Sequence, residues 1–278
     1  MDELLQRWQN LPASIDPVLI SVGSFQLRYY SLMYLAAFLC TYLLVMYRLR
    51  TERYGYSKET IQDFFIWAIV GLLVGARLGY VLFYDVSYFA VRPLEIVLPF
   101  TWSGGFRFTG ISGLSYHGGA LGVFLATFFF CRRRKVRFFR FMDLIVSAVP
   151  LGYTFGRVGN FINGELYGRV TTVPWGMYFP ADVTKSLRHP SQLYEAFFEG
   201  LLLFALLWSV RKRDWKEGSI LALYVAGYGT VRFFIEFFRE ADAHLGLLFG
   251  FLTMGQVLCL VMVAGATVWI LICKRQKT

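Results

Sequence analysis

The sequence predicts an all-α integral membrane protein, and both composition and hydropathy pattern support this. Apolar residues make up 56% of the 278 positions, whereas charged residues make up only 17%. So few charges do not suit a soluble globular domain of this length, and the apolar content excludes intrinsic disorder. Several apolar stretches also reach the roughly 20 residues that a helix needs to cross a bilayer. We therefore expect a single membrane domain over residues 1–278.

Seven stretches have the length and composition of membrane-spanning helices. They are Tyr29–Tyr47, Phe64–Tyr84, Gly113–Cys131, Phe141–Ile162, Leu193–Val210, Gly218–Phe238 and Phe249–Cys273. The first and the last contain no charged residue, whereas glycine and asparagine interrupt the end of the fourth. The connections are short except for two loops, residues 85–112 and 163–192.

The distribution of Lys and Arg among the connections predicts how the spans are oriented. Of the 28 basic residues, 17 lie in connections on one face and nine on the other, while Arg77 and Arg232 lie within spans. Because basic residues gather on the cytoplasmic face, the N-terminus and both long loops are expected outside and the C-terminus inside. This bias also explains the net charge of +10, so no nucleic acid is expected as a partner.

Unusual polar residues gather near the outer ends of the predicted spans. They are Arg28, Tyr30, Arg77, His117, Arg157, Asn160, Glu195, Glu199, Arg232 and Glu236. An ionisable group inside a bilayer costs at least about 2.5 kcal/mol, so each of them requires a reason. Only Asp63 and Asp143 lie at inner ends, where simple hydration is expected. The pattern favours an outward-facing cationic site that receives an anionic head group.

Two other classes of protein remain open on this evidence. A lipid or solute transporter would also expose cationic groups inside a bundle, but it would need a second, inner polar cluster that the sequence does not indicate. A seven-span receptor or structural protein would match the topology without needing an arginine cluster at the outer end. Both classes explain the polar residues less well than a binding or catalytic site does.

The sixth predicted span carries Tyr228, Arg232 and Glu236 at intervals of four residues, followed by Arg239. These four side chains share one face of a helix. One interpretation is an internal Arg232–Glu236 salt bridge that holds the bundle together. The other is a phosphate clamp in which Glu236 orients an arginine, because a guanidinium presents a planar fork of donors that matches phosphate oxygens.

The segment GRVGNFINGELYG, Gly156–Gly168, is dense in both glycine and polar residues. Its glycines permit tight backbone turns, and the end of a helix would be enough to explain them. A helix end does not explain why Arg157, Asn160 and Glu165 lie among those glycines. A binding site is therefore the favoured interpretation of this segment.

His117 opens the third span, directly before Gly118 and the GxxxG pair that Gly118 forms with Gly122. Such a pair most often marks a helix-packing face. His117 is either a polar residue satisfied by a neighbour or a group that takes part in chemistry, and its position on the side of the arginines favours chemistry. His189, before Pro190, could shape the outer loop as easily as react.

Known signatures of other chemistry are missing from the sequence. The cysteines lie at positions 40, 131, 259 and 273 in the middle or inner half of spans, so none is expected to act as a nucleophile. The three histidines form no zinc motif, and there is neither a phosphate-binding P-loop nor a dinucleotide fingerprint. Neither a metal nor a cofactor is expected.

These motifs together resemble the bacterial prolipoprotein diacylglyceryl transferases along the whole chain. Residues 156–168 are similar to the family signature, and the flanking motifs follow in the family's order. They are RYYSLMY at 28–34, SYHGG at 115–119, PWGMYFP at 174–180, RHPSQLYEA at 188–196 and YGTVRFFIEFFR at 228–239. The family has seven spans with its N-terminus outside, in agreement with the charge count.

The resemblance implies an activity in the bacterial cytoplasmic membrane. The diacylglyceryl group of phosphatidylglycerol would move onto the lipobox cysteine of a prolipoprotein, so that a thioether forms and glycerol phosphate leaves. The family's functional residues would be Tyr30, His117, Arg157, Asn160, Glu165, Gly168, Arg232 and Glu236, to which Arg239 and Tyr228 are added from the same helix face.

Roles follow for these residues. Arg157 and Arg232 would clamp the phosphate, and His117 or Tyr228 would take the proton of the thiol. The lipid would be positioned by Tyr30 and Asn160. The remaining members of the predicted lipid-binding set are Glu165 and Glu236, which would orient the arginines, together with Gly168 and Arg239.

Overall fold

The computed structural model describes residues 2–22, 25–98, 100–101, 107–108, 113–240 and 252–275. Helices dominate this part of the chain, which confirms the all-α class in its coarse form. The helices are α1 (Asp2–Gln9), α2 (Tyr29–Thr51), α3 (Lys58–Phe83), α4 (Val86–Ala90), α5 (Tyr116–Arg133), α6 (Phe138–Val146), α7 (Val149–Ile162), α8 (Ser191–Glu195), α9 (Leu203–Val210), α10 (Ser219–Ile235) and α11 (Met254–Arg275). A π-helical segment, Ala196–Leu202, joins α8 to α9.

Short strands and 3-10 turns occupy the segments beside the first helices. Strand β1 (Val18–Val22) pairs antiparallel with β2 (Phe25–Arg28), which runs directly into α2. Strand β3 (Phe100–Thr101) pairs antiparallel with β4 (Arg107–Phe108) inside the first long loop. The 3-10 turns are Leu11–Ser14 and Pro93–Ile96.

Four helices in the described part of the chain are long and apolar enough to cross a membrane. They are Tyr29–Thr51, Lys58–Phe83, Ser191–Val210 and Met254–Cys273, and α6 with α7 would form a fifth span bent by 49°. Helix α10 is apolar but has only 17 residues, and α5 ends in two arginines that lower its hydropathy. Each of the seven predicted spans coincides with helix, although Phe249–Phe251 lies outside the described residues. A multi-pass membrane protein is thus supported, and the count of seven stays a prediction.

The helices form two compact units. One consists of residues 1–52 with 142–278, and the other of residues 53–141. In the second unit, α3 packs closely on α5 through glycines, since a Cβ at Gly75 or Gly122 would overlap the backbone of the other helix. Arg77 donates hydrogen bonds there to the carbonyl oxygens of Ile96, at 2.9 Å, and Gly113, at 3.2 Å. These bonds stabilise the first long loop against α3 and account for an arginine in that span.

In the first unit, the bend between α6 and α7 has a cause in the sequence. Pro150 lies in the first turn of α7 and has no N–H to bond the carbonyl of Val146, where α6 ends. The fully buried Arg48 satisfies carbonyl groups near this break, because its Nη1 donates to the oxygens of Asp143 and Leu144, both at 2.7 Å. Glu52 pairs with the same guanidinium at 2.7 Å.

The expected hydration of Asp143 is wrong. Its carboxylate is buried and accepts hydrogen bonds from the backbone N–H groups of Gly218, at 2.7 Å, and Leu221, at 2.8 Å. These are donors at the start of α10 that have no partner within that helix. The expected lack of an inner polar cluster is wrong as well, because Arg48, Glu52 and Asp143 lie close together. Asp63 is partly exposed and pairs with Arg134.

Candidate active site

Three arginines and three glutamates meet in the first unit, and Glu195 lies at their centre. This carboxylate is fully buried at the end of α8. Its Oε2 lies 2.7 Å from Arg157 Nε and 3.5 Å from Arg232 Nη1, and its Oε1 accepts a hydrogen bond from Arg239 Nη1 at 2.9 Å. One carboxylate therefore contacts arginines from α7, α10 and the segment after α10. We call the set of Arg157, Glu195, Glu199, Arg232, Glu236 and Arg239 the arginine–glutamate cluster.

The π-helical segment that follows Glu195 brings this region against α7. A Cβ at Gly200 would overlap the side chain of Thr154, so glycine is required for this close approach. Glu199, on the same segment, is buried and accepts a hydrogen bond from Tyr153 of α7. π-helical turns occur frequently at functional sites, where they redirect side chains.

Arg157 is held by several neighbours. Its Nε donates to the hydroxyl of Tyr153 at 2.7 Å, and its Nη1 donates to Asn160 Oδ1 at 3.2 Å. Asn160 in turn donates to Glu165 Oε1 at 2.9 Å, and the backbone oxygen of Glu165 accepts from Gln192 at 2.7 Å. Within the described residues no hydrogen bond engages Nη2 of Arg157. Glu165 is thus linked to Arg157 through Asn160 and not by a direct hydrogen bond.

Glu236 connects two arginines to the start of α11. Its Oε2 lies 2.9 Å from Arg232 Nη2 and 3.5 Å from Arg239 Nε, and its Oε1 accepts from Thr253 Oγ1 at 3.2 Å. Thr253 and Gln256 form a capping box, since each side chain bonds the backbone N–H of the other. The sequence Thr-Met-Gly-Gln carries the signal for this helix start, whereas the contact of Thr253 with Glu236 is visible only in the structure.

Several buried atoms of the cluster have no hydrogen-bond partner within the described residues. They are Glu199 Oε1, Arg232 Nη1, Glu236 Oε2 and Arg239 Nε. Each lies near an opposite charge, as when Arg232 Nη1 is 3.7 Å from Glu199 Oε1. Buried polar atoms are normally hydrogen-bonded, so their concentration in one place indicates a binding site.

The other predicted site residues fall into different surroundings. Tyr228 packs edge-on against Tyr153, with ring centroids 6.2 Å apart. Tyr30 shares a hydrogen bond of 3.0 Å with Tyr34 and borders Gly159 of α7. His117 lies in the second unit, in the first turn of α5, and its side chain is exposed. Its predicted role as a base stays a prediction.

Gly168 acts through its backbone. A Cβ at this position would overlap the carbonyl oxygen of Phe238 and lie 2.9 Å from the Cβ of His189. The residue forms an isolated antiparallel bridge with Arg239. Glycine here lets the second long loop approach the end of α10, which positions Arg239 beside Glu195.

That loop contains a second set of charges outside the spans. Arg188 is buried and pairs with both oxygens of Asp182 at 2.8 and 2.9 Å. These hydrogen bonds hold the pKa of Asp182 well below its usual range. Burial lowers the pKa of His189, whose Nδ1 is 3.1 Å from the hydroxyl of Tyr194.

Sequence reasoning underestimated some residues of the site. Glu195 and Glu199 stand among the unusual polar residues near the outer ends of the predicted spans, but the sequence gives them no role, and it does not single out Tyr153. Within the described residues, no three His, Cys, Asp or Glu side chains are grouped so as to hold a metal ion.

Comparisons with known proteins show the family of the chain. Residues 17–272 match the family model described as prolipoprotein diacylglyceryl transferase. The chain belongs to this family. It is 51% identical to the phosphatidylglycerol–prolipoprotein diacylglyceryl transferase of Chlorobaculum tepidum, over 97% of this chain and 93% of that protein.

Further relatives carry the same name. The protein of Wolinella succinogenes is 42% identical, over 97% of this chain and 98% of its own length. That of Bordetella avium is 43% identical, over 95% and 96% respectively. The family resemblance seen in the motifs is therefore confirmed over nearly the whole chain.

Proposed function

We propose that the arginine–glutamate cluster is the site at which this chain moves a diacylglyceryl group from phosphatidylglycerol to the lipobox cysteine of a prolipoprotein. The transferase activity itself, the first step of lipoprotein maturation, follows from membership of the family and from the names of its relatives. The observation that best supports the site is the concentration of buried, incompletely bonded charges around three arginines.

The arginines suit a phosphate diester. Arg157 is oriented through Nε and Nη1, so Nη2 can donate to a phosphate oxygen. Arg232 Nη1 is a buried donor without a hydrogen-bond partner among the described residues. Guanidinium groups aimed at one anion give charge-assisted hydrogen bonds, which are stronger than neutral ones. Asn160 and Tyr30 would position the lipid beside them.

The reaction requires a displacement at carbon. The thiolate of the substrate attacks the terminal glyceryl carbon, the sulfur–carbon bond forms, and the carbon–oxygen bond to phosphate breaks. Glycerol phosphate leaves with the electron pair of that bond. Arg157 and Arg232 stabilise the negative charge that grows on the leaving oxygen, which is the largest contribution the cluster can make to the rate.

The thiol must first lose its proton. A cysteine has a pKa of about 8.5 and a neutral imidazole accepts protons at about 6.5, so transfer to histidine costs about 2.7 kcal/mol. His117 is our candidate for the base, and Tyr228 is the alternative. Nearby arginines would lower the cost by stabilising the thiolate.

The membrane arrangement follows from the charge distribution. We propose seven spans in the bacterial cytoplasmic membrane, with the N-terminus and the loops at 85–112 and 163–192 outside and the C-terminus inside. The cluster would then face the outer leaflet and receive signal peptides there. Labelling of a cysteine placed in the link at 211–216 by an impermeant reagent on intact cells would contradict this orientation.

A transfer assay tests the function. The purified protein is mixed with vesicles that contain labelled phosphatidylglycerol and with a lipobox peptide, and we expect label on the peptide together with free glycerol phosphate. A peptide with serine in place of cysteine and a donor without phosphate serve as controls, and neither should react. Absence of labelled peptide with the cysteine substrate would refute the proposal.

A further inference from the structure

We infer that Glu199, tethered by Tyr153, is a counter-charge that limits how tightly Arg232 holds a phosphate anion. It is a positioning residue that acts through Arg232 and does not bind the lipid. The inference rests on the proposed function. It adds that Glu199 lowers the affinity of the site for the anionic product, glycerol phosphate.

Glu199 differs from the other two carboxylates of the cluster. Glu195 and Glu236 each lie within 2.9 Å of an arginine nitrogen. The closest ion-pair distance of Glu199 is 3.7 Å, from Oε1 to Arg232 Nη1, and neither atom has a hydrogen-bond partner within the described residues. The carboxylate is nevertheless fully buried, so its charge acts on the arginine through a medium of low dielectric constant.

Tyr153 explains why this pair stays apart. Its hydroxyl accepts from Arg157 Nε at 2.7 Å and donates to Glu199 Oε2, with a longer contact of 3.2 Å to Glu195 Oε2. Tyr153 therefore fixes one oxygen of Glu199 and prevents the carboxylate from moving onto Arg232. Without this tether, Glu199 could close the gap and occupy the donor that a phosphate needs.

The charges of the cluster explain how Glu199 would favour release of the product. The charged groups that interact with Glu199 are Glu195 of α8, Arg232 of α10 and Arg157 of α7, whereas Glu236 pairs with Arg232 and Arg239 pairs with Glu195. Three arginines and three carboxylates balance when all are ionised. A phosphate diester brings one negative charge, whereas the product, a phosphate monoester, can carry two. A carboxylate near Arg232, but not bonded to it, penalises the product more than the substrate and so favours release.

Two substitutions should act in opposite directions. Glu199→Gln removes the charge and keeps the shape and the hydrogen bond from Tyr153. We expect the inhibition constant of glycerol phosphate to fall roughly tenfold and the KM for phosphatidylglycerol to fall with it, the effect of one partly screened charge. Tyr153→Phe releases Glu199 toward Arg232, so both constants should rise.

The experiment measures both constants in the transfer assay, with inhibitor binding checked by thermal shift on the folded protein. The controls are Glu59→Gln and Tyr47→Phe, which change an exposed carboxylate and an exposed hydroxyl elsewhere and should alter neither constant. In the double variant the rise caused by Tyr153→Phe should be smaller than in the wild-type background, because only the contact of Tyr153 with Arg157 is then lost.

The outcomes separate this inference from the proposed function. An unchanged or raised inhibition constant in Glu199→Gln overturns it, because the carboxyl group then exerts no repulsion on the anion. Should that variant not fold, a lowered constant in Tyr153→Phe overturns it instead. A wild-type protein that transfers no label refutes the function, and the thermal-shift arm still reports whether glycerol phosphate binds and whether Glu199 weakens it.

Discussion

Two buried arginine clusters in the first unit share the same residue types but differ in how completely they are bonded. Around Arg48, all three guanidinium nitrogens donate to carboxylate, carbonyl or hydroxyl oxygens. Among its neighbours Arg211 Nε alone is a buried atom without a hydrogen bond in the described residues, and it lies 3.2 Å from Glu52. In the arginine–glutamate cluster, four buried atoms have no hydrogen-bond partner within the described residues.

The difference shows how a structural cluster can be told from a binding site. Arg48 bonds carbonyl groups next to a helix break that Pro150 causes, so its partners are supplied by the fold itself. The arginines of the other cluster are held by carboxylates, and donors remain unused. Buried charge alone therefore does not indicate a binding site. A concentration of buried polar atoms without hydrogen bonds does.

The largest effect is expected for His117→Gln, which should impair proton transfer but not lipid binding. His117→Gln keeps the approximate shape of the side chain but removes a proton acceptor. If His117 is the base, turnover should fall by about 10²–10⁴-fold while lipid binding is retained. The measurement is the transfer rate at neutral pH, with lipid binding followed separately.

A pH series completes this test. Raising the pH should partly restore turnover in His117→Gln, since more substrate thiol then ionises without help. Turnover within about threefold of wild type at neutral pH would exclude His117 as the base, on the scale of general-base effects. Tyr228, which packs against Tyr153 beside the cluster, would then be the next candidate.

A matched pair of arginine substitutions tests whether one cluster binds the substrate and the other stabilises the fold. Arg157→Ala should lower activity by about 10- to 150-fold, the loss of one charge-assisted contact, while the protein still inserts and folds. Arg48→Ala should instead destabilise the fold by about 3–5 kcal/mol, because it removes the donor to the carbonyl oxygens of Asp143 and Leu144 and one of the two arginines that pair with Glu52. Activity per folded molecule should remain near normal in the Arg48 variant.

Activity and thermal unfolding of both variants, measured side by side, decide the outcome. The comparison fails if Arg157→Ala unfolds with unchanged specific activity or if Arg48→Ala folds normally but loses turnover. Arg157→Lys tests geometry in addition. Wild-type behaviour of that variant would mean that the fork of donors is not required.

Much of the fold could be predicted from hydropathy, because the length of an apolar stretch sets where a spanning helix lies. The contacts between helices could not be predicted in this way. Glu195 and Glu199 were visible as a pair, yet only packing reveals that Glu195 contacts Arg157, Arg232 and Arg239. Residue spacing within one helix carries no information about which faces of other helices approach it.

The positions of helix ends could not be predicted from hydropathy either. Asp143 was expected to be hydrated because it lies at the end of an apolar stretch, but N–H groups at the start of α10 provide its partners. Helix α11 begins at Met254, directly after Thr253, where Thr253 and Gln256 form a capping box. Helix ends depend on local hydrogen bonds, which hydropathy does not report.

The smallest expected effect concerns the second long loop, which lies outside the predicted spans. Its buried Arg188 is fully hydrogen-bonded, as Arg48 is. The pKa of His189 is lowered by burial and that of Asp182 by its bonds to Arg188. A lowered pKa means that the folded state favours the deprotonated form, so each group contributes stability above its unfolded pKa and loses it as the pH falls. As the pH falls, the loss of stability begins near pH 6.5 for His189 and near pH 4 for Asp182.

We therefore expect proteolysis of the loop to accelerate in two steps as the pH is lowered from 7. His189→Gln should remove the first step and leave the second, and Asp182→Asn should make the loop cleavable already at pH 7 because Arg188 loses its bidentate partner. Lys185→Gln, at an exposed position of the same loop, is the control and should retain both steps. A cleavage rate that stays constant between pH 7 and pH 5 in the wild type would show that burial of His189 does not stabilise the loop. The fold around Gly168 would then hold Arg239 in place through backbone contacts alone.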